Sequence, residues 1–402
     1  MDLRYGPEYD AFRAELRAFL AGWPLGGAEA ALPAAERESL FRQRGIDAGY
    51  VYRHIPKAYG GAGAPADVLR DRIIQEEYAA AGAPGPLFTQ GAGMLAPTLV
   101  DLGTKEQKRR FVRRALTGED VWCQGYSEPG AGSDLASLTS RAELVGDEWV
   151  IHGHKIWTSG ADKAHYMFGL FRTEPDAPKH AGISYLLLDM RAPGVTIRPL
   201  REMTGGELFN EVFLDGVRTP RDWIVGERGQ GWQVSRATLV HERNMIGDPR
   251  ALRHLFDGVV ALARAVRRRG RPAIEDPIVR ARLAEIEGYL ASQEWTGKRV
   301  LTASARGEAA KVVLPTLMAK LYGTNLRKRI GELAHDLLGA DALVAPVDGE
   351  YIATGPATAG AWNARYMSGM AVAIAGGASN IQRNIIAERG LGLPRDLRHR
   401  KR

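Results

Sequence analysis

The stretch Ala142-Glu-Leu-Val-Gly-Asp-Glu-Trp-Val-Ile151 decides the fold class of this chain. It contains two short runs of mainly apolar residues, joined by Gly146-Asp147. A pair of this kind between two such runs is typical of the turn in a β-hairpin. We therefore predict two antiparallel strands here, in the middle of a chain whose two ends carry helical patterns.

Further strands are predicted downstream of this hairpin, at residues 166–171, 183–188, 195–197 and 212–214. Glycine or proline separates them, at positions 194, 205, 206 and 220. These residues favour turns because glycine tolerates positive φ and proline fixes φ. Together with the hairpin, the pattern predicts a compact antiparallel β unit.

Helical periodicity dominates the residues on either side of this unit. Apolar side chains recur every three or four positions over residues 9–20 and 68–81, and Thr104 to Gln107 has the spacing of a capping box. The same periodicity returns after residue 236, in the segments 252–262, 283–290, 314–321, 333–338 and 379–388. Pro315 is compatible only with the first turn of its helix. The glycine- and proline-rich residues 345–360 are predicted to be a loop.

Segregated helices and strands are typical of an α+β fold and argue against a doubly wound sheet. We expect an N-terminal helical domain at residues 1–120, a middle antiparallel β domain at 121–235 and a C-terminal helical bundle at 236–402.

The composition of the chain argues against several classes of protein. The N-terminus lacks the apolar segment of a signal peptide, and no apolar run approaches the ~20 residues that a membrane span needs. Cys123 is the only cysteine, so no intrachain disulfide can form, and a reducing cytoplasm is the expected location. The net charge is +7, but no basic stripe with interleaved aromatics predicts nucleic-acid binding. We interpret the runs 267–269 and 398–402 as a solvated loop and a tail, and we expect no metal site.

The most specific segment is Gln124-Gly-Tyr-Ser-Glu-Pro-Gly-Ala-Gly-Ser-Asp134. Its small side chains allow backbone N–H groups to approach a ligand closely, and Ser127 and Ser133 add hydroxyl groups. The segment has no P-loop lysine and does not match the G-x-G-x-x-G pattern, so a nicotinamide-binding fold is not indicated.

This segment resembles the signature loop of the acyl-CoA dehydrogenase family. A second match lies at residues 153–160, Gly-His-Lys-Ile-Trp-Thr-Ser-Gly, and a third at residues 377–388, which begin Gly-Ala-Ser-Asn-Ile-Gln-Arg. Residues 104–107 and 229–232 also resemble family segments. The resemblance spans nearly the whole chain. It implies a helical, a β and a second helical domain, an FAD cofactor and an acyl-CoA substrate.

Carried over position by position, the resemblance implies that the following residues contact FAD: Gln124, Tyr126, Ser127, Gly132, Ser133, Trp157, Thr158, Ser159, Ala378 and Ser379. Among them, Trp157 is expected against the flavin ring. Ser133, Arg243 and Gly376 are the residues expected to contact the substrate.

The implied reaction needs a base to remove a proton beside the thioester. Many members of the family place a glutamate at the position of Gly376, which has no side chain to act as a base. A smaller branch supplies a glutamate from the first helix after the β domain, and Glu242-Arg243 resembles that pair. On a helix, Glu242 shares a face with Leu239 and Ile246, and such an apolar face would raise the pKa of its carboxyl group. We expect Glu242 to be the base and a backbone N–H near Gly376 to polarise the thioester oxygen. The product would be the trans-2-enoyl-CoA, with an electron-transfer flavoprotein as the electron acceptor.

Two family features that hold FAD across a subunit interface are altered. Residues 267–270, Arg-Arg-Arg-Gly, lack the aromatic of the family segment, and Asp336 stands where the family has glutamine. A carboxylate close to a pyrophosphate is electrostatically unfavourable. Two alternatives therefore stay open. One is a homo-oligomer that binds FAD weakly, and the other is a hetero-oligomer that a paralogous subunit completes. The ending of the chain is similar to that of enzymes that shorten sterol side chains.

Other functions also fit parts of the pattern. Flavin monooxygenases and nitroalkane oxidases share the fold, and a non-catalytic partner subunit is a further alternative; Glu242 argues against both.

The acyl group is expected to be branched, cyclic or steroid-like, because a base on the helix after the β domain is a feature seen with bulky substrates.

Overall fold

The computed structural model describes residues 5–246, 249–347 and 358–394, apart from the side chains of residues 242–250 and 309. The chain forms two compact units. The first comprises residues up to 199 together with 209–241, and the second comprises residues 200–208 together with those from 242 onwards.

The first unit begins with helices and continues into a sheet. Its helices are α1 (Pro7–Leu20), α2 (Ala34–Asp47), α3 (Val68–Ala81), α4 (Ala96–Leu102), α5 (Lys105–Gln107) and α6 (Arg113–Thr117). Its strands are β1 (Trp122–Gly125), β2 (Arg141–Val145), β3 (Glu148–Ser159), β4 (Tyr166–Arg172), β5 (Ile183–Asp189), β6 (Val195–Pro199), β7 (Phe209–Pro220) and β8 (Ile224–Val225). Helix α7 (Gly231–Ile246) follows them.

Local signals fix the ends of two helical segments in this unit. Helix α3 begins where the Asp67 side chain accepts hydrogen bonds from two backbone N–H groups, and it ends at Gly82, whose φ is 58°. The predicted capping box is confirmed, because Thr104 and Gln107 each bond the other's backbone. The Gln107 amide also donates to the carbonyls of Asp222 and Ile224, both at 2.7 Å. This side chain therefore links α5 to the residues beside β8.

The sheet contains the predicted hairpin. Strands β2 and β3 pair antiparallel with Val145 opposite Glu148, which leaves Gly146 and Asp147 as the two-residue turn. The strand order is β6-β7-β3-β2-β4-β5-β8, and β1 pairs with β4. The predicted antiparallel β unit is confirmed, and it also contains two parallel pairings. Strand β1 runs parallel to β4, and β2 also meets β4 in a short parallel pairing, because the long loop after β1 lets the chain return in the same direction.

The second unit is a helical bundle. Its elements are α8 (Pro249–Ala265), a short hairpin of β9 (Arg267–Arg268) and β10 (Arg271–Pro272), α9 (Pro277–Ala305), α10 (Val313–Leu338), α11 (Ala359–Ala371) and α12 (Ser379–Ile385). Buried residues from α8 to α11 form its core, among them Val259, Ile286, Leu290, Ile330 and Trp362. Pro315 lies in the first turn of α10, as predicted. The predicted helical segments 314–321 and 333–338 are parts of this one helix.

The basic run 267–269 is not simply a solvated loop. It forms one strand of the β9–β10 hairpin, with Arg269 and Gly270 in the turn at φ 51° and 81°. Two consecutive residues with positive φ are typical of the type I′ hairpin turn.

Within residues 5–246, 249–347 and 358–394, no helix is both long and apolar enough to cross a membrane. The same residues contain no group of three or more histidine, cysteine, aspartate or glutamate side chains arranged to hold a metal ion.

Candidate functional site

The loop at residues 124–134 leaves β1 and turns tightly. Glu128 and Ala131 exchange backbone hydrogen bonds of 3.1 and 3.0 Å. Gly130 and Gly132 are exposed, and no atom lies within 4 Å of the position that a Cβ would occupy on either residue. Ser133 is exposed as well. The tip of the loop is therefore open, and a ligand can approach its backbone closely.

A buried ion pair anchors the base of this loop. Lys155 on β3 is fully buried, and its ammonium group donates to the Glu128 carboxylate at 2.8 Å. The same ammonium donates to the backbone carbonyls of Leu170 at 2.7 Å and Tyr126 at 3.3 Å. One cation thus ties the loop to strands β3 and β4.

The Glu128 carboxylate also accepts hydrogen bonds from three donors besides Lys155. Its carboxylate accepts hydrogen bonds from the Thr139 N–H at 2.7 Å, the Thr139 hydroxyl at 2.9 Å and the Ser140 N–H at 3.0 Å. Burial alone would raise the pKa of Glu128, but the Lys155 charge and these hydrogen bonds outweigh burial and lower the pKa to about 2. Burial lowers the pKa of Lys155 to about 8, against the opposing effect of Glu128. Both groups are therefore charged at neutral pH.

A β-bulge directly after Lys155 presents Trp157. Lys155 pairs with Val212 and Thr158 with Asn210, so β3 has one residue more than β7 between these pairs. At the bulge, the Ile156 N–H donates to the Ser127 carbonyl at 2.9 Å, which brings strand and loop together. Trp157 has a φ of 60° and is 60% exposed. A bulky residue rarely adopts positive φ, and such strain is typical of functional sites.

Thr158 lies next to this exposed indole and carries a free hydroxyl. The residue is buried, and its Oγ1 has no hydrogen-bond partner within the described part of the chain. Buried hydroxyls are normally hydrogen-bonded, so this one keeps the capacity for a further partner. The exposed indole of Trp157 presents a flat face, which suits a planar ring such as a flavin.

The structure brings most of the predicted FAD residues in this unit together. Gln124, Ser127 and Ser159 are half-buried around the loop and the bulge. Tyr126 is buried, with its ring edge-on to those of Phe168 and Tyr185. The loop and the bulge on β3 are adjacent, because the Ile156 N–H bonds the Ser127 carbonyl and the Lys155 ammonium bonds the Tyr126 carbonyl.

A second group of predicted residues lies in the second unit, between α11 and α12. Gly376 and Gly377 have φ values of 62° and 97°, and α12 begins at Ser379, directly after Ala378. The Ser379 hydroxyl donates to the Ala373 carbonyl at 3.2 Å. These glycines allow a sharp turn that residues with a Cβ would resist.

Of the two residues on α7 that are expected to act on the substrate, the structure describes the backbone alone. The helix includes positions 242 and 243, but the side chains of Glu242 and Arg243 lie outside the described residues. Their neighbour His241 is half-buried, and burial lowers the pKa of its imidazole. The imidazole of His241 is therefore neutral, which suits a residue that supports the site and carries no charge.

Glu128 and Lys155 were missed as site residues in the sequence, although a signal was present. Lys155 follows Trp149 and Ile151 at even spacing along β3, and alternation therefore places it on the buried face. A lysine at an interior position needs a partner anion. Glu128, in the loop that carries the family signature, is that anion.

Asp336, which the resemblance implies lies near FAD at a subunit interface, is engaged within its own unit. Its carboxylate accepts from the Arg282 guanidinium at 2.6 Å, and its backbone carbonyl accepts from Arg268 at 2.5 Å. Arg267 donates to the Gly270 carbonyl at 3.0 Å, inside the β9–β10 hairpin. Two of the three arginines of this run are thus bound to the chain itself.

Comparison with known proteins finds one family that is similar to this chain over most of its length. Family models of acyl-CoA dehydrogenases match in order: the N-terminal domain over residues 6–119, the middle domain over 123–217 and the C-terminal domain over 229–391. The chain is 40% identical to acyl-CoA dehydrogenase IpdE1 of Mycobacterium tuberculosis, and the match covers 97% of this chain and 99% of that protein.

Solved structures agree with these matches. The "Tcur3481-Tcur3483 steroid ACAD" has a TM-score of 0.76 and 32% identity, and the match covers 98% of this chain and 100% of that chain. The ChsE4-ChsE5 complex from Mycobacterium tuberculosis has a TM-score of 0.76 and 30% identity, with the same coverage. The fold and the resemblance predicted from the three sequence motifs are confirmed, and the chain belongs to the acyl-CoA dehydrogenase family.

Proposed function

We propose that this protein removes two hydrogens from the α and β carbons of an acyl-CoA thioester, with FAD as cofactor and the trans-2-enoyl-CoA as product. The observation that carries the proposal is the bulge on β3, where Trp157 is exposed and the Thr158 hydroxyl is unpaired among the described residues. Family membership supports it, because acyl-CoA dehydrogenases use FAD.

The residues around the bulge and the loop fit this cofactor. Trp157 would cover one face of the flavin ring, and the Thr158 hydroxyl and the open backbone of the loop would donate hydrogen bonds to its polar edge. Bound FAD supplies the acceptor for a hydride from the β carbon. The Glu128–Lys155 pair would keep the loop rigid, and this matters because preorganised donors stabilise charge better than mobile ones.

Glu242 is our candidate for the base that removes the α-proton. It occupies a helical position on α7, and helical spacing puts it on one face with Leu239 and Ile246. Desolvation on an apolar face raises the pKa of a carboxyl group toward neutrality, the range in which a general base is most effective. Gly376, at the alternative position of the base in the family, has no side chain that could compete.

Backbone groups near Gly376 would polarise the thioester oxygen. An N–H donor aimed at the oxygen that gains charge typically contributes about 3 kcal/mol in the transition state. We also propose that Ser133, which is exposed, and Arg243, the residue after Glu242 on α7, contact the substrate. A separate electron-transfer flavoprotein is the electron acceptor that membership of the family suggests.

We infer that the acyl group is bulky and steroid-like and that a paralogous subunit completes the oligomer. Two similar structures are named for paired components, Tcur3481-Tcur3483 and ChsE4-ChsE5, and the first is named a steroid ACAD. The Asp336–Arg282 pair supports the second inference, because it places a carboxylate where the family uses a neutral glutamine against FAD of a neighbouring subunit. A reducing, cytoplasmic setting fits Cys123, the only cysteine, which is buried and free.

The replacement Glu242→Gln tests the reaction and the base together. Incubation with an acyl-CoA in heavy water should place deuterium on the α carbon with the wild type, and mass spectrometry detects it. We expect the variant to lose at least about 10²-fold in the rate of this exchange while keeping its FAD content. Glu38→Gln, which changes an exposed glutamate on α2, is the matched control. Unchanged exchange in Glu242→Gln would remove Glu242 from the mechanism.

A further inference from the structure

The hydroxyl group of Tyr185 on β5 lies deep inside the first unit. Tyr185 is fully buried, and no hydrogen bond within residues 5–246, 249–347 and 358–394 satisfies its hydroxyl. The ring lies parallel to that of Phe168, with the centroids 5.9 Å apart. A phenylalanine would fill the same space without the hydroxyl. Because a buried hydroxyl without a partner costs stability, this group needs an explanation other than packing.

The side chain of Tyr185 points along α7. This helix begins in contact with β5, since a Cβ on Gly231 would lie 2.5 Å from the backbone nitrogen of Tyr185. The hydroxyl lies close to Thr238, which is seven residues, or about 10 Å, further along the helix. Burial raises the pKa of Tyr185, and the neighbouring hydroxyls of Thr238 and Tyr126 lower it in part. The hydroxyl is therefore directed toward the C-terminal part of α7.

Thr238 is able to accept a hydrogen bond from this hydroxyl. Thr238 on α7 and Thr98 on α4 are both buried, and their hydroxyl oxygens are 3.0 Å apart. Thr98 lies 2.7 Å from the Met94 carbonyl, and Thr238 lies 3.2 Å from the Val234 carbonyl. Each hydroxyl has one hydrogen, so only one of them bonds its carbonyl while the other donates across the contact. The shorter carbonyl bond favours donation from Thr238 to Thr98, which leaves the Thr238 oxygen with lone pairs that can accept.

One further hydrogen bond would complete a chain through three elements. With Tyr185 donating to Thr238, the chain would run from β5 through α7 to the Met94 carbonyl just before α4, and each hydroxyl in it would donate to an acceptor. Position 242 lies four residues, or about 6 Å, beyond Thr238 on the same helix. Helical spacing also puts position 242 on the face on which Thr238 is buried. The completed chain would thus fix the depth of α7 close to position 242.

We propose that Tyr185 is a positioning residue for removal of the α-proton: its hydroxyl donates to Thr238 when the acyl-CoA binds, and α7 is then held at the depth that Glu242 needs. This inference rests on the proposed function, in which Glu242 is the base. A misplacement of about 1 Å can cost 10²-fold in rate, so one bond that fixes the helix has a measurable effect. Tyr185 acts through α7 and does not itself contact the substrate.

The test is Tyr185→Phe, with Tyr78→Phe as the matched control. Tyr78 on α3 is also buried, and its hydroxyl also has no hydrogen bond to the described part of the chain, but it packs against Gly45 on α2. The readout is exchange of the α-proton of 3-cyclohexylpropanoyl-CoA, a bulky saturated thioester, with heavy water. Mass spectrometry at several thioester concentrations separates kcat of the exchange from KM. The melting temperature and the FAD content are measured on the same samples.

We expect Tyr185→Phe to lower kcat of the exchange roughly tenfold, with KM changed by less than about twofold and with an unchanged or higher melting temperature. Tyr78→Phe should match the wild type in kcat. Thr238→Val should lower kcat as Tyr185→Phe does. The double variant should be no slower than Thr238→Val alone, because both changes break the same chain. If Thr238→Val does not fold, Tyr185→Phe alone decides.

The other outcomes would overturn the inference. Unchanged kcat in Tyr185→Phe would show that the hydroxyl has no part in the reaction, and a rise in KM alone would show that it contacts the acyl group. A melting temperature below that of Tyr78→Phe would show that the hydroxyl already serves stability. Losses that multiply in the double variant would exclude Thr238 as the partner. Failure of the proposed function looks different, because the wild type itself would then exchange no α-proton.

Discussion

The ion pair between Glu128 and Lys155 can be broken on one side by Lys155→Met, which shortens the side chain by one atom and removes its charge. Lys155 is fully buried, so water cannot take the place of the ammonium group. The Glu128 carboxylate would keep its donors from Thr139 and Ser140, but it would be left as an uncompensated buried charge. The carbonyls of Leu170 and Tyr126 would also lose this donor.

The expected cost follows from these contacts. Removing one partner of a buried ion pair typically costs about 3–5 kcal/mol, and the two carbonyls add to the loss. We therefore expect the loop at residues 124–134 to open about 4 kcal/mol more easily. The double variant Glu128→Gln/Lys155→Met should cost less than Lys155→Met alone, because the stranded charge is gone and the amide oxygen can still accept from the N–H and hydroxyl of Thr139.

The pH dependence has a definite sign. In the wild type the pKa of Glu128 is lowered to about 2, so the stability that this group contributes is present above its ordinary value of 4.5 and is lost as the pH falls toward 2. In Lys155→Met, burial remains without the ammonium group, so the pKa of Glu128 should rise above its ordinary value. The folded state then takes up a proton, and the variant should regain protection as the pH falls through this raised pKa toward 4.5.

Hydrogen–deuterium exchange with mass spectrometry is the appropriate assay, because a chain with two compact units has no single unfolding free energy. About 4 kcal/mol corresponds to roughly 10³-fold faster exchange in peptides from the loop. Lys163→Met, which removes an exposed ammonium from the same unit, corrects for the effect of pH on intrinsic exchange. Exchange in Lys155→Met within about threefold of this control would refute the reasoning.

Further variants test the cofactor site through FAD affinity, measured by titration. Trp157→Ala should weaken FAD binding by roughly tenfold or more, whereas Trp295→Ala, at an exposed tryptophan on α9, should not; equal affinities would exclude Trp157 from the site. Thr158→Val should weaken binding about fivefold without lowering the melting temperature, because the lost hydroxyl has no partner within the described residues; a lower melting temperature would indicate a structural role. Asp336→Gln should strengthen binding by the chain purified alone about fivefold, relative to Asp341→Asn, and no gain would argue against Asp336 as the obstacle.

Much of the fold was predictable because its signals are local. Helix α3 begins and ends at the predicted residues, since Asp67 and Gly82 cap it. The β2–β3 hairpin has the predicted turn, since Gly146 adopts a φ of 62°. Helix α2 was not predicted, because six of its 14 residues are charged and it contacts the core through few residues, such as Phe41 and Ile46. The parallel β1–β4 pairing was missed, since pairing partners distant in sequence leave no periodic signal.

The sequence predicts which residues belong to the candidate site, but it does not predict how the fold arranges them. The motifs identified the loop at residues 124–134, Trp157 and Thr158, and the structure brings them together. The bulge that gives Trp157 its φ of 60° could not be predicted, because it depends on the register between β3 and β7. The contacts of Lys155 were missed for a similar reason: its ammonium bonds carbonyls of β4 and of the loop, and only the fold determines which carbonyls are within reach.

The measurement that tests the central claim most directly is a titration of the purified, flavin-free chain with FAD up to about 1 mM, followed by the visible absorption spectrum. We predict saturable binding that approaches one FAD per chain, with a changed flavin spectrum that is lost or strongly weakened in Trp157→Ala. A paralogous subunit, if one is required, should raise the affinity without changing this stoichiometry. No saturable binding, or binding that is indifferent to Trp157, would contradict the proposed flavin site.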